Sequence, residues 1–239
     1  MNKFIMTILF FGTIVHAEFS YEQEAKLYAD FLVTGRSEVA KALKEYKIND
    51  ASLSEKGFHS DKFILNINSS FFSKHQIDIL KESSDTNTPK HIMKNLKLLL
   101  VASKNVLDSA HAMIDMPGII FKGFIPATYG KAVGDIFRQK TGITLKQTSD
   151  KFRNIYNKPD KFELNGLIQL KNGDIPKGKT LSIHSKKSFR LLYPIYIEKA
   201  CLVCHGSPKG EKDVAGRLKE GYKEGDLRGA ISVSIPIKK

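Results

Sequence analysis

Two cysteines and a histidine near the C-terminal end of the chain have the spacing of a covalent haem attachment site. The segment Cys201-Leu202-Val203-Cys204-His205 reads C-x-x-C-H, and its two cysteines are the only ones among 239 residues. In a c-type attachment the two thiols add to the two vinyl groups of haem, and the adjacent histidine ligates the iron. One short turn carries all three groups. The motif therefore predicts one covalent haem c, held by Cys201, Cys204 and His205.

Other uses of a C-x-x-C pair fit this sequence less well. A zinc site needs a second pair of cysteines or histidines at ligand spacing, and none of the seven histidines supplies such a pair near the motif. A thioredoxin-like dithiol needs a strand–helix–strand context, and none is evident around the motif. A structural disulfide between Cys201 and Cys204 stays open as the main alternative.

Residues 1–17 have the parts of a secretory signal peptide. Lys3 supplies the positive charge, residues 4–15 form an apolar run, and Val-His-Ala at 15–17 fits a cleavage site. We therefore expect export to the periplasm and a mature chain that begins at Glu18, with an uncleaved N-terminal membrane anchor as the alternative. No later segment has the length and apolarity of a membrane span. Export agrees with the motif, because bacterial c-type haem is attached outside the cytoplasm.

The chain is strongly basic, with 38 Lys and Arg against 25 Asp and Glu. The formal net charge of +13, or +12 once Lys3 is removed, could favour nucleic acid, an anionic membrane surface or an acidic protein. An exported chain rarely meets nucleic acid, and no arginine-rich or aromatic-interleaved run appears, so we expect no nucleic-acid partner. The scattered lysines form either a plain solvated surface or a docking surface for an unidentified redox or signalling protein.

Hydrophobic periodicity predicts the elements that must position the motif. Helical spacing predicts helices at 21–47, 89–115, 128–140 and 162–170, and alternation predicts strands at 143–148, 180–184, 189–197 and 230–237. Ser20 and Gln23 have the spacing of a capping box at the first helix. The strand 189–197 leads directly into the motif. Before the second helix the pattern is hardest to interpret, and the alternation of Phe63, Leu65 and Ile67 predicts a short strand there.

Several short motifs occur together with the haem motif in a characteristic order. They are FKGFIPA at 121–127, KQTS at 146–149, FRN at 152–154, NKPD at 157–160, CLVCHG at 201–206 and GYKEGDLRGAISV at 221–233. In this order they resemble a bacterial family of single-haem c-type proteins with a PAS-like fold. That family occurs as extracytoplasmic sensor segments of signalling proteins and as stand-alone exported proteins. The resemblance covers roughly residues 90–237.

The resemblance implies an α+β fold, in which a PAS-like antiparallel sheet is accompanied by N-terminal helices and one covalent c-type haem. The helices would lie on one side of the sheet, and the haem would pack against it. We expect a single haem-binding domain at 18–239, divided into an N-terminal helical extension at 18–88 and a core at 89–239.

The distal ligand of the iron is the main departure from the family. Some members ligate the iron with a cysteine from an N-terminal helix, and this sequence has no third cysteine. His111 is the first candidate, because it lies on the apolar face of the helix predicted at 89–115, where a lone histidine is costly unless it is paired. A structural histidine satisfied by a carbonyl is the alternative. Met113 and Met116 are close enough in sequence to ligate instead.

Two further residues are predicted to contact the cofactor. Arg153 could pair with a haem propionate through two parallel hydrogen bonds, with a solvated arginine as the alternative. Tyr193, in the strand that leads to the motif, is also assigned to the cofactor-binding set.

The residues leave several classes of function open. We expect redox or small-ligand sensing, with periplasmic electron transfer to acidic partners as the alternative. An enzyme is not expected, because the sequence shows no distal acid–base pair. No kinase, cyclase or membrane segment follows the core, so a sensing output would pass to a separate partner.

Overall fold

The computed structural model describes residues 19–81 and 88–237, so the predicted signal peptide at 1–17 lies outside the described residues. The helices are α1 (Tyr21–Glu45), α2 (Ser60–His75), α3 (Lys90–Asp115), α4 (Pro126–Thr141), α5 (Lys161–Asn172) and α6 (Leu202–His205). The strands are β1 (Thr144–Thr148), β2 (Leu181–His184), β3 (Ser188–Tyr196) and β4 (Leu227–Pro236). No helix in this part of the chain is long and apolar enough to cross a membrane.

The four strands form one antiparallel sheet in the order β1-β4-β3-β2. β3 and β4 are its central pair, with Leu191 opposite Val233 and Tyr193 opposite Ile231. β2 and β3 form the predicted hairpin, closed by residues 185–187. The α+β class is confirmed, and the helices and strands predicted from residue 89 onwards are present within three residues of their predicted bounds.

Helices pack on both faces of the sheet, which differs from the expected one-sided arrangement. Alternate residues of the central strands, such as Leu191, Ile231 and Val233, belong to the main core with α1 and α4. The intervening Leu192 and Ala230 pack on α5 in a smaller core. Successive side chains of a strand point to opposite faces. Both faces of the central strands therefore carry apolar side chains, and a helix covers each of them.

The central helix of the larger layer is α1. Its first turn has the predicted capping box: the Ser20 hydroxyl accepts from the backbone N–H of Gln23, and the Gln23 side chain accepts from the backbone N–H of Ser20. α1 lies within the range expected to form an extension, and it packs on β3, β4, α2 and α4. Gly35 allows the close approach to α4, since a Cβ there would lie 2.0 Å from the Tyr129 hydroxyl.

The strand predicted around residues 63–67 is wrong, because this segment lies within α2. Phe63, Ile67 and Phe71 are spaced by four residues and are all buried, while Leu65 is 56% exposed. Residues four apart share one face of a helix, so this spacing forms the apolar stripe that packs against α1 and α3. The apparent alternation came from Leu65, an apolar residue on the solvent side.

Candidate haem attachment site

The C-x-x-C-H motif lies in the connection between the two central strands. β3 ends at Tyr196 and β4 begins at Leu227. At the base of the connection the Ile197 N–H donates to the Asp226 carbonyl, and the Gly225 N–H donates to the Ile197 carbonyl, each at 2.8 Å. The connection therefore leaves and rejoins the sheet at one point, which holds the motif at the end of the strand pair.

Within the connection a single tight turn carries the reactive groups. A 3-10 turn, Lys199–Cys201, continues directly into α6. Cys201 and Cys204 are both partly buried and both carry free thiols. Burial raises the pKa of the Cys204 thiol, and the nearby charge of Asp213 raises it further. Residues three apart lie on the same side of a helical turn. The two thiols are thus presented together, with His205 next to the second.

His205 is oriented by a carboxylate on the loop that follows the motif. Its Nδ1 lies 2.8 Å from Oε2 of Glu220. Burial acts to raise the pKa of Glu220, but hydrogen bonds from Arg153 and His205 outweigh it and lower the pKa to about 2. An ionised carboxylate can only accept a hydrogen bond, so Nδ1 carries the proton and Nε2 holds the lone pair.

The same surroundings keep the His205 ring neutral. Burial lowers the pKa of His205, and the positive charge of Arg228 lowers it further. A neutral imidazole whose second nitrogen is fixed by a carboxylate is the usual form of a histidine that ligates a metal. Two free thiols beside such a histidine form a donor set that fits an iron porphyrin.

Arg153 joins the motif to the loop after it. Its guanidinium donates at 2.7 Å to Asp213, at 2.7 Å to both carboxylate oxygens of Glu220, and to the carbonyls of Cys204 and Leu218 at 2.7 and 2.9 Å. The structure therefore gives Arg153 protein acceptors in place of the predicted haem propionate. The guanidinium of Arg153 points at the motif and the loop after it, because two carboxylates and two carbonyls there accept its hydrogen bonds.

The loop after the motif contributes residues that the sequence did not single out. The Asp213 side chain is 1% exposed, and its second oxygen accepts from the backbone N–H groups of Ala215 and Arg217 at 2.9 Å. The Tyr222 N–H donates to the carbonyl of His205 at 2.9 Å. Nothing in the local pattern distinguishes Asp213 and Glu220 from the other acidic residues of this polar loop.

His111 is not brought to the motif. The expectation that it is buried in an apolar face is wrong, since its side chain is 43% exposed, with Nδ1 3.6 Å from Asp115. Its ring contacts that of His59 at 5.8 Å between centroids. α3 packs mainly on α1, α2 and α4, and the buried positions near its C-terminal end are Leu107 and Ile114. His111 lies at the edge of that stripe, where water satisfies an imidazole.

The structure uses Tyr193 to join β3 to α1. Its hydroxyl donates to Oδ1 of Asp30 at 2.7 Å. Burial raises the pKa of Tyr193, and the hydrogen bond to Asp30 raises it further. Lys74 donates to the same oxygen at 3.1 Å, and Nε2 of His75 lies 3.4 Å from the other. Asp30 therefore links α1, α2 and β3, and the Tyr193 hydroxyl is committed to that network.

Replacing Asp30 by asparagine should weaken the protein most at neutral pH. Burial acts to raise the pKa of Asp30, but the nearby imidazole of His75 and the hydrogen bonds from Tyr193 and Lys74 outweigh it and lower the pKa. A lowered pKa stabilises the fold above the ordinary value of 3.8, and this stability is lost as the pH falls through the lowered value. Chemical unfolding at a series of pH values should therefore give a flatter profile for Asp30→Asn below pH 3.8.

The matched control for Asp30→Asn is Glu22→Gln, which removes an exposed carboxylate of the same helix that pairs with Lys26. We expect its profile to follow that of the unmodified chain. If the Asp30→Asn profile runs parallel to both, the network around Asp30 does not contribute to stability.

The fold and the site together define a class: an α+β protein with helices on both faces of an antiparallel sheet and a candidate haem-attachment turn between its central strands. Within residues 19–81 and 88–237, no group of three His, Cys, Asp or Glu side chains is arranged to hold a bare metal ion. The chain belongs to the Tll0287-like family, whose model matches residues 15–236.

Comparison with other known proteins gives one structural likeness and no curated relative. The fold is similar to the crystal structure of the cyanobacterial heme-protein Tll0287, with 21% sequence identity and a TM-score of 0.44. The similarity covers 64% of this chain and 99% of that one. No curated protein matches the chain.

Proposed function

We propose that this chain is an exported mono-haem c-type cytochrome of PAS-like fold that senses redox state or a small ligand. The hydrogen bond between Nδ1 of His205 and Glu220 carries the proposal, because it leaves a basic Nε2 beside two free thiols. The family supports it as well, since it shares its name with a protein described as a cyanobacterial heme-protein.

The residues of the motif would hold the haem in a defined way. Each thiol would add across a vinyl group, so that a sulfur–carbon bond forms and the thiol proton passes to the neighbouring vinyl carbon, without oxidation or reduction. Nε2 of His205 would ligate the iron, while Glu220 keeps the ring in the required tautomer. Bound haem supplies one-electron exchange at iron and an axial position for small molecules.

Support for sensing comes from the position of the predicted distal ligands. His111, Met113 and Met116 lie at the end of α3, and all three are substantially exposed to solvent. With His205 as the residue that would hold the iron, a haem bound there would be able to take up water or a small ligand. We propose this binding role in the periplasm, without enzymatic turnover.

The alternative is a periplasmic electron carrier, and the formal net charge of +13 favours it. A basic surface accelerates encounter with acidic redox partners. A carrier needs a six-coordinate iron that changes little on reduction, whereas a sensor needs a vacant or labile axial position. The two roles are therefore separated by the ligation of the iron.

One experiment tests both the cofactor and its role. We expect the exported chain to begin at Glu18 and to retain one haem per chain through acidified organic extraction, because thioether bonds do not break there. The ferric spectrum should be high-spin, and the reduced protein should bind carbon monoxide at once. Haem that extracts and leaves colourless protein contradicts the attachment. A low-spin haem that does not react with carbon monoxide favours the carrier.

A further inference from the structure

Arg36, on α1, contains a buried hydrogen-bond donor for which the structure provides no acceptor. Its Nε atom is inaccessible to solvent, and within the described ranges 19–81 and 88–237 no acceptor is hydrogen-bonded to it. Burial lowers the pKa of Arg36 to about 10, so the guanidinium stays charged at neutral pH. Arg36 as a whole is only partly buried. A buried donor without an acceptor is nevertheless unfavourable, and a ligand can complete it.

Arg36 lies on the helix that contacts the turn before the haem motif. α1 contacts the turn Lys199–Cys201 directly. After burial, the ionisable groups that influence the pKa of Arg36 are Cys201, Arg228 and Glu198, so these residues lie in its neighbourhood. Arg36 is thus a cation on the helix that packs beside the attachment turn.

The stem of Arg36 is held in place by a close contact with α4. A Cβ on Gly130 would lie 3.1 Å from Cδ of Arg36 and 3.1 Å from Oε1 of Gln147. Gln147 is itself fixed, because its side-chain amide donates to the carbonyl of Ala127 at 2.8 Å. The missing side chain of Gly130 therefore leaves the space in which the arginine stem lies.

A second guanidinium lies in the same region. Arg228, near the start of β4, donates to Oγ of Ser149 at 2.7 Å and lies 3.9 Å from Glu220. The charge of Arg228 disfavours that of Arg36, and it also acts on His205. Two cations in one region repel each other, and Glu198 beside Arg36 and Glu220 beside Arg228 offset part of that repulsion.

We propose that Arg36, assisted by Arg228, binds a carboxylate of the attached haem. This inference rests on the proposed function. A haem carries two propionate groups, and a guanidinium fork matches a carboxylate through two parallel hydrogen bonds. The propionate would supply the acceptor that Nε of Arg36 lacks. The role first predicted for Arg153 therefore passes to Arg36, whose buried donor is free.

The test is the midpoint potential of the haem-loaded protein as a function of pH. In Arg36→Gln the propionate loses its cation, and the uncompensated negative charge stabilises ferric iron. We expect a lower potential than that of the unmodified protein near neutral pH. The potential should also rise as the pH falls, because the carboxylate then titrates closer to its ordinary pKa. The unmodified protein should show little pH dependence over the same range.

Two variants make the result specific. Arg138→Gln removes an exposed arginine of α4 and should leave the potential unchanged. Arg36→Lys keeps the charge but loses the planar fork, so its potential should fall between those of the unmodified protein and Arg36→Gln. If Arg36→Gln does not fold, the midpoint potential of Arg36→Lys still tests the inference. A potential and pH dependence unchanged in both Arg36 variants would overturn the inference.

The acceptor at Arg36 could be a free anion in place of a haem propionate, and adding inorganic phosphate distinguishes the two. If Arg36 holds a propionate, phosphate should leave the spectrum and the potential of the unmodified protein unchanged. A saturable phosphate effect that disappears in Arg36→Gln would assign the site to a free anion and overturn the propionate role. A chain that takes up no haem overturns the proposed function and this inference together, whereas attached haem with unresponsive Arg36 variants overturns this inference alone.

Discussion

Replacing both Cys201 and Cys204 by alanine should reduce covalently attached haem from one per chain to none. The chain has no other thiol to form a thioether, so no residual attachment is available. The change is measured as haem that survives acidified organic extraction, and by mass spectrometry of the intact chain. Each single variant keeps one thiol and should retain at most one thioether.

The matched control for the cysteine variants is Val203→Ala. Val203 lies between the two cysteines in the same turn and is 69% exposed, so its truncation removes little packing. It should retain full attachment. Attached haem that persists in the double cysteine variant would show that the C-x-x-C-H turn is not the attachment site.

Replacing Arg153 by methionine should destabilise the protein by about 3–5 kcal/mol, as expected when one partner of a buried ion pair is removed. Methionine approximates the arginine stem but leaves the carboxylate of Asp213, 1% exposed at its side chain, without its cation. It also removes the two hydrogen bonds to Glu220 and the one to the Cys204 carbonyl. The free energy of unfolding should be measured by urea titration in the double cysteine background, so that haem loss does not contribute.

The control for Arg153→Met is Arg217→Met, which removes an exposed guanidinium whose one hydrogen bond within the described residues is to the carbonyl of Arg153. Its effect should be below about 1 kcal/mol, as for most surface substitutions. In the cysteine-containing protein Arg153→Met should also lower the yield of attached haem, since the Cys204 carbonyl and Glu220 lose their anchor. Equal effects of the two variants would mean that the Arg153 network is dispensable.

The features that the sequence determined by itself are local. The thiols and the imidazole of the motif lie within five residues, so one turn brings them together in any fold. The capping box at Ser20 and Gln23 acts across three residues, and the β2–β3 hairpin closes over three. The long amphipathic helices α1 and α3 repeat their apolar spacing over many turns, so their type and position follow from periodicity.

The secondary structure of short amphipathic segments was harder to predict, because a few apolar residues fit both the helical period and the strand period. Phe63, Leu65 and Ile67 alternate as in a strand, and only the addition of Phe71 reveals the spacing of a helix. The packing of α2 on α1 and α3 decides the matter by burying one set of residues and exposing Leu65. For the same reason helical periodicity could place His111 near an apolar stripe but could not show whether another element buries its side chain.

Only the tertiary structure decided which residues from other segments contact the motif and hold it. Arg153 reaches Glu220 across 67 positions and the Cys204 carbonyl across 51, and no local pattern records such pairs. Arg36 lies farther still from the motif in sequence, and the helix that carries it reaches the turn because α1 packs on β3 and β4. The chemistry of the motif is carried by neighbouring residues, whereas the guanidinium that anchors the motif and Glu220 comes from a distant segment that folding brings to them.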